Sequence, residues 1–229
     1  FTFFFFFFFT GLGLIIYMLW HYGKELPDYR QLSQYEPSVV TRVHAGNGAL
    51  LAEYAKQKRV FVPINVIPTK IINAFLSAED KDFYKHFGLD LQATLRAVIV
   101  NLKNYGTKKR LVGASTITQQ VAKNFLLTSE VSFERKIKEA ILAIRIERAF
   151  SKDEILELYL NEIYLGNNSY GVAAAALNYF DKSLDDLNFP EAAFLAGLPK
   201  APSKYNPKTN YTKTVNRRNW VLKQMKKNK

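Results

Sequence analysis

The first twenty residues form an uninterrupted apolar run. No side chain from Phe1 to Trp20 is charged, and only Thr2 and Thr10 are polar. The length matches the roughly 20 residues with which a helix crosses the hydrocarbon core of a membrane. The apolar region of a secretory signal peptide usually covers only about 7–15 residues and ends in a small-residue cleavage site, which we do not find here. The pattern therefore predicts a transmembrane anchor over residues 1–22.

The polar and apolar pattern changes beyond this run. Residues 23–68 contain four prolines and short β-branched stretches such as Val60–Val62, which indicates an extended connector with one strand pair. From Thr69 onward the apolar residues recur at helical spacing. One stripe consists of Ile71, Ile72, Phe75 and Leu76, and a second of Leu91, Leu95, Val98, Ile99 and Leu102.

Polar residues mark where the later helices begin. Thr116 with Gln119 has the pattern of a capping box. The residues from Asn104 to Gly113, rich in Gly, Lys and Arg, indicate a loop before it. Further start signals or helical composition occur at Ser132, at Ser151 with Glu154, at Ala173–Ala176 and at Ser183 with Asp186. We therefore predict a mainly α domain over residues 69–229.

The composition narrows the class of chemistry. The chain has 229 residues and no cysteine, which excludes a disulfide scaffold, a thiol nucleophile and a thiolate zinc site. Its three histidines (His21, His44 and His86) are widely separated and indicate no metal cluster. Because 48% of the residues are hydrophobic, the chain can bury a core, which argues against intrinsic disorder. The formal net charge of +12 indicates an anionic partner: nucleic acid, a lipid headgroup or a phosphorylated substrate.

A first candidate for chemistry is the pair Glu79 and Asp80, at the end of the helix that begins near Thr69. Carboxylates at a helix C-terminus face the negative end of the macrodipole, a placement that costs about 0.3–1 kcal/mol. Aromatic residues such as Phe83 and His86 follow, and such neighbours could desolvate one carboxylate, raise its pKa and make it a general base. Two solvated acids at a helix end are the alternative explanation.

A second candidate is Glu139, in the segment ERKIKEAILAIRIER. Arg135 precedes it by four residues, so a surface ion pair is one explanation. Lys136 and Lys138 place further positive charge on the same turn. Two carboxylates on separate helices, Glu79 and Glu139, would suit glycosyl chemistry, in which one acid works on each side of an anomeric carbon.

Basic side chains are concentrated in the middle of the chain and at its end. Residues 200–229 hold ten basic and no acidic side chains. A solvated face is the usual explanation, but after a membrane anchor, attraction to anionic lipid or to a pyrophosphate headgroup is the more specific one. No RRM, KH or zinc-finger pattern supports a nucleic-acid partner. The central cations are Lys103, Lys108, Lys109, Arg110, Lys123, Arg135, Lys136 and Lys138.

Five segments, taken in order, resemble the motifs of one enzyme family. They are EDKDFYKHFG (Glu79 to Gly88), GASTITQQVAKN (Gly113 to Asn124), RKIKE (Arg135 to Glu139), KDEILELYLNEIYLG (Lys152 to Gly166) and RRNWVL (Arg217 to Leu222). They resemble the peptidoglycan glycosyltransferases, found as the N-terminal module of class A penicillin-binding proteins and as monofunctional enzymes. The resemblance covers roughly residues 24 to 229.

The resemblance implies a fold, a reaction and a location. The fold would be the lysozyme-like, mainly α, two-lobed glycosyltransferase domain, here behind an N-terminal transmembrane helix. The reaction would join a lipid-linked glycan donor to lipid II with inversion at the anomeric carbon, giving β-1,4-linked strands and undecaprenyl pyrophosphate. The protein would lie in the bacterial cytoplasmic membrane as a single-pass protein with its catalytic domain on the extracytoplasmic side. Cell-wall synthesis proteins would be further partners.

The resemblance also implies roles for individual residues. Glu79 would be the general base that deprotonates the acceptor 4-hydroxyl. Glu139, the second catalytic residue, would help to position the pyrophosphate or a divalent cation, Mg²⁺ or Mn²⁺, at that group. The cations that would bind the pyrophosphate are Arg96, Lys123, Arg135 and Lys138. The other implied substrate-binding residues are Asp80, Phe83, His86, Ser115, Thr116, Gln119, Gln120 and Tyr164.

Two other functions stay open from the sequence. A lytic enzyme of lysozyme-like fold would also place carboxylates in a helical cleft, but it needs no cationic pyrophosphate site. A basic, membrane-tethered adaptor would not depend on Glu79, and its binding would follow salt concentration alone.

The motifs that the chain lacks, and one segment that it contains, lead to an expectation about the protein to which it belongs. The chain has neither a serine–x–x–lysine nor a lysine–threonine–glycine motif and therefore no transpeptidase module. The segment RVHAGNGALLAEYAKQKRVFVP resembles the lead-in of class A proteins. We expect the chain to be part of such a protein.

Overall fold

The computed structural model describes residues 2–24, 26–35, 41–48, 50–54, 58–107, 111–128, 130 and 132–228. The predicted cations Lys108, Lys109 and Arg110 lie outside these residues. The first elements are α1 (Thr2–Gly23), β1 (Thr41–His44), β2 (Leu50–Tyr54), β3 (Lys58–Arg59), α2 (Thr69–Glu79), α3 (Leu91–Lys103) and α4 (Ile117–Leu126). They are followed by α5 (Phe133–Ala149), α6 (Lys152–Glu162), β4 (Ser169–Tyr170), α7 (Val172–Phe180), α8 (Phe189–Gly197) and α9 (Tyr211–Lys227). The predicted mainly α character is confirmed.

The chain divides into two compact units. The first unit comprises Phe1–Gln34 and His86–Ser151, and the second comprises Tyr35–Lys85 and Lys152–Lys229. The boundaries predicted at residues 22 and 68 and the likeness to lysozyme stay predictions.

The core of the first unit lies between α4 and α5. Ile117 and Val121 on α4, and Leu142 and Ile146 on α5, are fully buried. Each pair is four residues apart, so both side chains lie on one face of their helix. Helix α1 and a short 3₁₀ helix, Tyr29–Gln34, also pack against α5. Hydrophobic packing therefore fixes the rotation of α5 about its axis.

Helix α1 is formed as predicted, and many of its large apolar side chains are exposed, among them Phe3, Phe6 and Trp20. In the part of the chain that the structure describes, however, no helix combines the length and the apolar character needed to cross a membrane. The transmembrane anchor over residues 1–22 is therefore not confirmed.

Helix α3 also exposes its apolar stripe. Its only buried side chain within the described residues is Ala97. The exposed residues are the stripe identified from the sequence, Leu91, Leu95, Val98, Ile99 and Leu102. Helical spacing thus identifies the face correctly, but that face is not part of the core of the first unit.

The core of the second unit is formed where α2, α8 and α9 pack together. Ile71 and Phe75 of α2 are fully buried, and α8 is buried over almost its whole length from Ala192 to Gly197. Burying one side chain of the size of Phe75 contributes about 1.5–3 kcal/mol. This packing positions the end of α2, where the first motif begins.

The predicted strand pair of the connector is confirmed. β1 and β2 pair antiparallel, from Thr41 opposite Tyr54 to His44 opposite Leu50. The β-branched stretch Val60–Val62 forms no strand. Instead, the Asn161 side-chain amide on α6 accepts a hydrogen bond from the Val62 N–H at 2.8 Å and donates one to the Val62 carbonyl at 2.9 Å. The amide thus satisfies backbone groups that a neighbouring strand would otherwise pair.

The helix start predicted at Ser183 with Asp186 is wrong. The Ser183 hydroxyl donates to the Asp186 carboxylate at 2.6 Å within a turn, and helix α8 begins only after Asn188. Asn188 and Glu191 form a reciprocal capping box there. Ser and Asp side chains stabilise turns as readily as helix starts, so the pattern alone does not separate the two.

Candidate active site

Glu79 is the last residue of α2. It lies four residues after Phe75 and eight after Ile71, so it follows the buried stripe of the helix. As a result its side chain is only 14% exposed. Asp80, the C-cap, is also buried, and its backbone N–H donates to the Leu76 carbonyl at 2.9 Å. The alternative of two solvated acids therefore does not hold.

A buried arginine faces Glu79. The Nη2 atom of Arg217, on α9, lies 3.4 Å from Oε1 of Glu79 and forms an ion pair with it. The Nε–H of Arg217 donates to the Gly197 carbonyl at 3.3 Å, and its guanidinium lies 4.2 Å from the ring centre of Trp220. Burial lowers the pKa of Arg217, while Glu79 and Tyr205 act in the opposite direction. The guanidinium therefore holds the Glu79 carboxylate in place at the end of α2.

Tyr159 on α6 is a buried phenol near both carboxylates. Its hydroxyl has no hydrogen-bond partner within the described part of the chain, and its ring packs edge-on against Phe75 at 6.2 Å. Burial first, and then the negative charges of Glu79 and Asp80, raise the pKa of Tyr159 well above its usual value. The phenol therefore stays neutral and adds apolar surroundings to the carboxylate pair.

The rest of the first motif is held partly by α6. Phe83 is fully buried, and Nζ of Lys152 lies 4.3 Å from its ring centre. The Tyr84 hydroxyl donates to Asp153 at 3.0 Å, and burial followed by this carboxylate raises the pKa of Tyr84 to about 12. His86 belongs to the first unit. Its predicted place in a wall beside Glu79 stays a prediction.

The second cluster of charges lies in the first unit, around Glu139 on α5. Glu139 is 1% exposed, and its two carboxylate oxygens form ion pairs with Arg135 and Lys136. Lys136 Nζ also donates to the Ser115 hydroxyl at 3.0 Å. Since Glu139 is buried, the pair with Arg135 is not the surface ion pair considered from the sequence. The cluster joins the third motif to the second through Ser115.

Lys138, a predicted pyrophosphate-binding cation, lies on the same helix as Glu139. Its Nζ pairs with Glu134, one turn earlier, at 2.6 Å. Together with Arg135 and Glu134 it lines a cavity of about 220 Å³ on the first unit. Two of the predicted pyrophosphate-binding cations, Arg135 and Lys138, therefore face the same cavity.

Hydrogen bonds in the first unit join the second motif to the end of the first motif and to α5. The Thr116 hydroxyl donates to the Gly88 carbonyl at 2.6 Å and accepts from the Gln119 N–H at 3.1 Å. The Gln119 side chain accepts in return from the Thr116 N–H at 2.9 Å, which confirms the predicted capping box. Thr118 donates to Glu147 on α5 at 2.5 Å. Thr116 and Gln119 thus hold the start of α4, and their predicted contact with substrate stays a prediction.

The remaining predicted residues lie on several elements. Arg96 is exposed on α3, with Nη2 4.0 Å from Asp90. Lys123 and Gln120 are half-buried on α4. Tyr164 is exposed in the second unit, with its ring centre 4.9 Å from that of Tyr170.

The residues around Glu139 do not fit a metal site built by the protein. Both of its oxygens already accept from cationic side chains. Among the residues that the structure describes, no group of three or more His, Cys, Asp or Glu side chains is arranged to hold a metal ion. Mg²⁺ sites normally need several oxygen ligands, so Glu139 alone does not provide one.

Three residues of these clusters were not among the predicted site residues: Lys136, Arg217 and Tyr159. Lys136 precedes Glu139 by three residues, a spacing that places both on one helix face, so the signal was present. Arg217 stands in the fifth motif, but its contact with Glu79 spans 138 residues and has no local signal. Tyr159, in the fourth motif, resembles any core aromatic residue in sequence.

The comparison with known proteins agrees with the motifs. A family model described as transglycosylase matches residues 47–226. Penicillin-binding protein 1A of Rickettsia felis is 55% identical over 216 residues, which cover 94% of this chain and 27% of that protein. Penicillin-binding protein 1A of Aquifex aeolicus is 50% identical over 214 residues, covering 93% of this chain and 29% of that protein.

A solved structure is also similar to the chain. The crystal structure of penicillin-binding protein 1A from Haemophilus influenzae is 30% identical, with a TM-score of 0.44, and the match covers 83% of this chain and 18% of that chain. The chain thus spans less than a third of the length of each of these three proteins.

Proposed function

Since this chain belongs to the transglycosylase family, we propose that it is a peptidoglycan glycosyltransferase that polymerises lipid II into β-1,4-linked glycan strands. The donor is a growing glycan on undecaprenyl pyrophosphate, and the acceptor is lipid II. The acceptor 4-hydroxyl oxygen forms a bond to the anomeric carbon of the donor. The bond from that carbon to the pyrophosphate breaks, and its electron pair leaves with undecaprenyl pyrophosphate. The configuration inverts from α to β.

Glu79 is the base in this scheme, and it takes the proton of the attacking hydroxyl. The observation that carries the proposal is its environment: a carboxylate that is 14% exposed, paired with the buried Arg217 at 3.4 Å. Burial excludes most of the water that would compete for the carboxylate, and the ion pair with Arg217 holds the carboxylate in place. A surface glutamate has neither property.

The cations of the first unit support the departure of pyrophosphate. Negative charge develops on the leaving group, and cations that are already held in place stabilise it without reorganising. Arg135 and Lys136 are held by the buried Glu139, and Lys138 is held by Glu134. In this proposal Glu139 acts by positioning these cations, and Lys123 and Arg96 add charge.

The predicted Mg²⁺ or Mn²⁺ ion is a proposal with a restricted role. Because the protein provides no ligand set of its own at Glu139, the pyrophosphate oxygens and water would supply the ligands. The proton transfer to Glu79 and the cationic stabilisation by lysine and arginine do not depend on it.

We place the protein at the bacterial cytoplasmic membrane, with these residues on its extracytoplasmic side, as a single-pass protein. Lipid-linked substrates reside in that membrane. The exposed apolar side chains of α1 and α3, such as Phe6 and Leu95, support contact with lipid. Cell-wall synthesis proteins are proposed as further partners.

The substitution Glu79→Gln tests this function. It keeps the size of the side chain but removes the base, so polymerisation of lipid II is expected to fall by about 10²–10⁴-fold, the usual contribution of a general base. The measurement is the rate of glycan formation by gel electrophoresis of labelled lipid II, with the melting temperature as the check on folding. The matched control is Asp185→Asn, at an exposed carboxylate of the second unit outside the five motifs, which should keep full activity. Normal polymerisation by a folded Glu79→Gln protein would reject the assignment.

A further inference from the structure

A cavity on the second unit is lined by both cationic side chains and aromatic rings. Its volume is about 450 Å³. Its lining includes Lys200, Lys204 and Lys213, the aromatic residues Tyr205 and Trp220, and Arg217. The sequence motifs account for Arg217 and Trp220 only. The lysines and Tyr205 have no role in the reaction described above.

The aromatic rings give this cavity a flat apolar wall. Trp220 is 41% exposed, although Arg217 lies 4.2 Å from its ring centre. Arg217 thus holds one face of the indole, while much of the ring stays open to solvent. Tyr205 is half-buried beside it. Exposed aromatic faces in a cavity are suited to a ligand with apolar C–H surfaces, and sugar rings have such surfaces.

The lysines of the cavity are not neutralised by the protein. Within the described residues, Lys200, Lys204 and Lys213 form no ion pair. Nζ of Lys213 donates to the Asn210 side chain at 3.5 Å, and Nζ of Lys204 lies 5.9 Å from the ring centre of Tyr205. The sequence from residue 200 to residue 229 contains no acidic side chain. Three ammonium groups around one cavity without a carboxylate favour an anionic ligand.

Arg217 connects this cavity to the proposed base. Its guanidinium lines the cavity, and its Nη2 atom lies 3.4 Å from the Glu79 carboxylate. A ligand in the cavity therefore lies next to Arg217, the ion-pair partner of the proposed base. This adjacency favours a part of the glycan substrate over an unrelated anion.

We propose that the cavity around Trp220 and the three lysines binds an acidic, peptide-bearing segment of the glycan. A sugar ring packs against Trp220 and Tyr205, and the peptide carboxylates lie among Lys200, Lys204 and Lys213. The proposal rests on the proposed function for the identity of the glycan. The binding itself needs no turnover and can be measured separately.

The test is the affinity of the whole chain for an isolated disaccharide–peptide from peptidoglycan, measured by isothermal titration calorimetry at physiological salt. The double variant Lys204→Ala with Lys213→Ala should bind it about tenfold more weakly, because two charge contacts are lost. The matched control, Lys208→Ala with Lys223→Ala, removes the same charge from exposed positions of the same segment outside the cavity. It should change the affinity by less than about twofold.

A neutral probe separates the two halves of the site. Chitotetraose has sugar rings but no carboxylate, so its weaker binding should be insensitive to the lysine variant. Trp220→Leu should weaken the binding of both probes, and Trp220→Phe, which keeps an aromatic face, should restore most of it. If Trp220→Leu is unstable, the binding of Trp220→Phe is compared with that of wild type instead, and equal melting temperatures make this comparison valid.

Equal weakening by the control pair, or no measurable binding of the disaccharide–peptide, would overturn the proposal. Tighter binding of duplex DNA or of anionic vesicles that is lost in the Lys204/Lys213 variant would also overturn it, in favour of a phosphate site. Failure of the proposed function gives a different pattern, in which the glycan probe binds but wild type does not polymerise lipid II. If wild type polymerises lipid II but the Lys204/Lys213 variant binds the glycan probe as tightly as wild type does, only this inference is refuted.

Discussion

Gly88, which ends the first motif, has a backbone conformation and a position that both require glycine. Its φ angle is +85°, and a Cβ atom there would lie 2.8 Å from the Ala143 carbonyl oxygen on α5. Gly88→Ala is therefore expected to lower the free energy of unfolding by about 3 kcal/mol, from backbone strain plus displacement of the helix. Chemical denaturation measures the change.

Gly106 provides the matched control for this substitution. Its φ angle is +78°, but a Cβ atom there would have no neighbour within 4 Å. Gly106→Ala should therefore cost only the backbone strain, about 1 kcal/mol. If both variants lost the same stability, the close approach of Gly88 to α5 would not matter.

At the scale of the residue, the sequence provides candidates for the chemistry but not their long-range contacts. Glu79, Arg135 and Glu139 are such candidates, because motif order and helical spacing are local properties, and their roles in the reaction stay predictions. The ion pair of Glu79 with Arg217 could not, since it depends on how α2 and α9 pack. The pairing of Lys138 with Glu134 was missed because several partners lie within one helical turn.

The capping box of Thr116 and Gln119 does more than begin helix α4. The Thr116 hydroxyl accepts from the part-buried Gln119 N–H and donates to the buried Gly88 carbonyl. Thr116→Val keeps the shape but leaves both groups without this partner, so the free energy of unfolding should fall by about 2–3 kcal/mol. Ser132→Ala, which removes a single cap bond to the Arg135 N–H, should cost about 1 kcal/mol. Equal losses in denaturation experiments would contradict the double role of Thr116.

Helix positions could be predicted from apolar periodicity, but whether each apolar face is buried or exposed could not. The start of α4 and the extent of α2 and α5 follow from local capping and spacing. The stripe of α3 has the same spacing as that of α2, yet Leu95 is exposed and Phe75 is buried. Whether an apolar face is covered depends on which elements pack against it. The helix start predicted at Ser183 is wrong for a local reason, because a turn and a helix cap share one hydrogen-bond pattern.

At the scale of the whole molecule, the net charge and the order of the motifs indicate the same class of partner. The net charge of +12 indicates an anionic partner, and the transglycosylase family match over residues 47–226 narrows it to a lipid-linked sugar pyrophosphate in the proposed function. Each unit holds one of the two charge clusters named in the proposed function. The second unit holds the carboxylate with its arginine, and the first holds the lysine and arginine cluster around Glu139.

The most direct measurement incubates the chain with labelled lipid II and, separately, with finished peptidoglycan, and follows both sugar products and released undecaprenyl pyrophosphate. Our account predicts that lipid II is consumed, that glycan strands lengthen with one pyrophosphate released per sugar pair added, and that finished peptidoglycan stays intact. Soluble fragments from finished peptidoglycan with lipid II untouched would indicate a lytic enzyme. Binding without any reaction would indicate an adaptor, and either result would contradict the account.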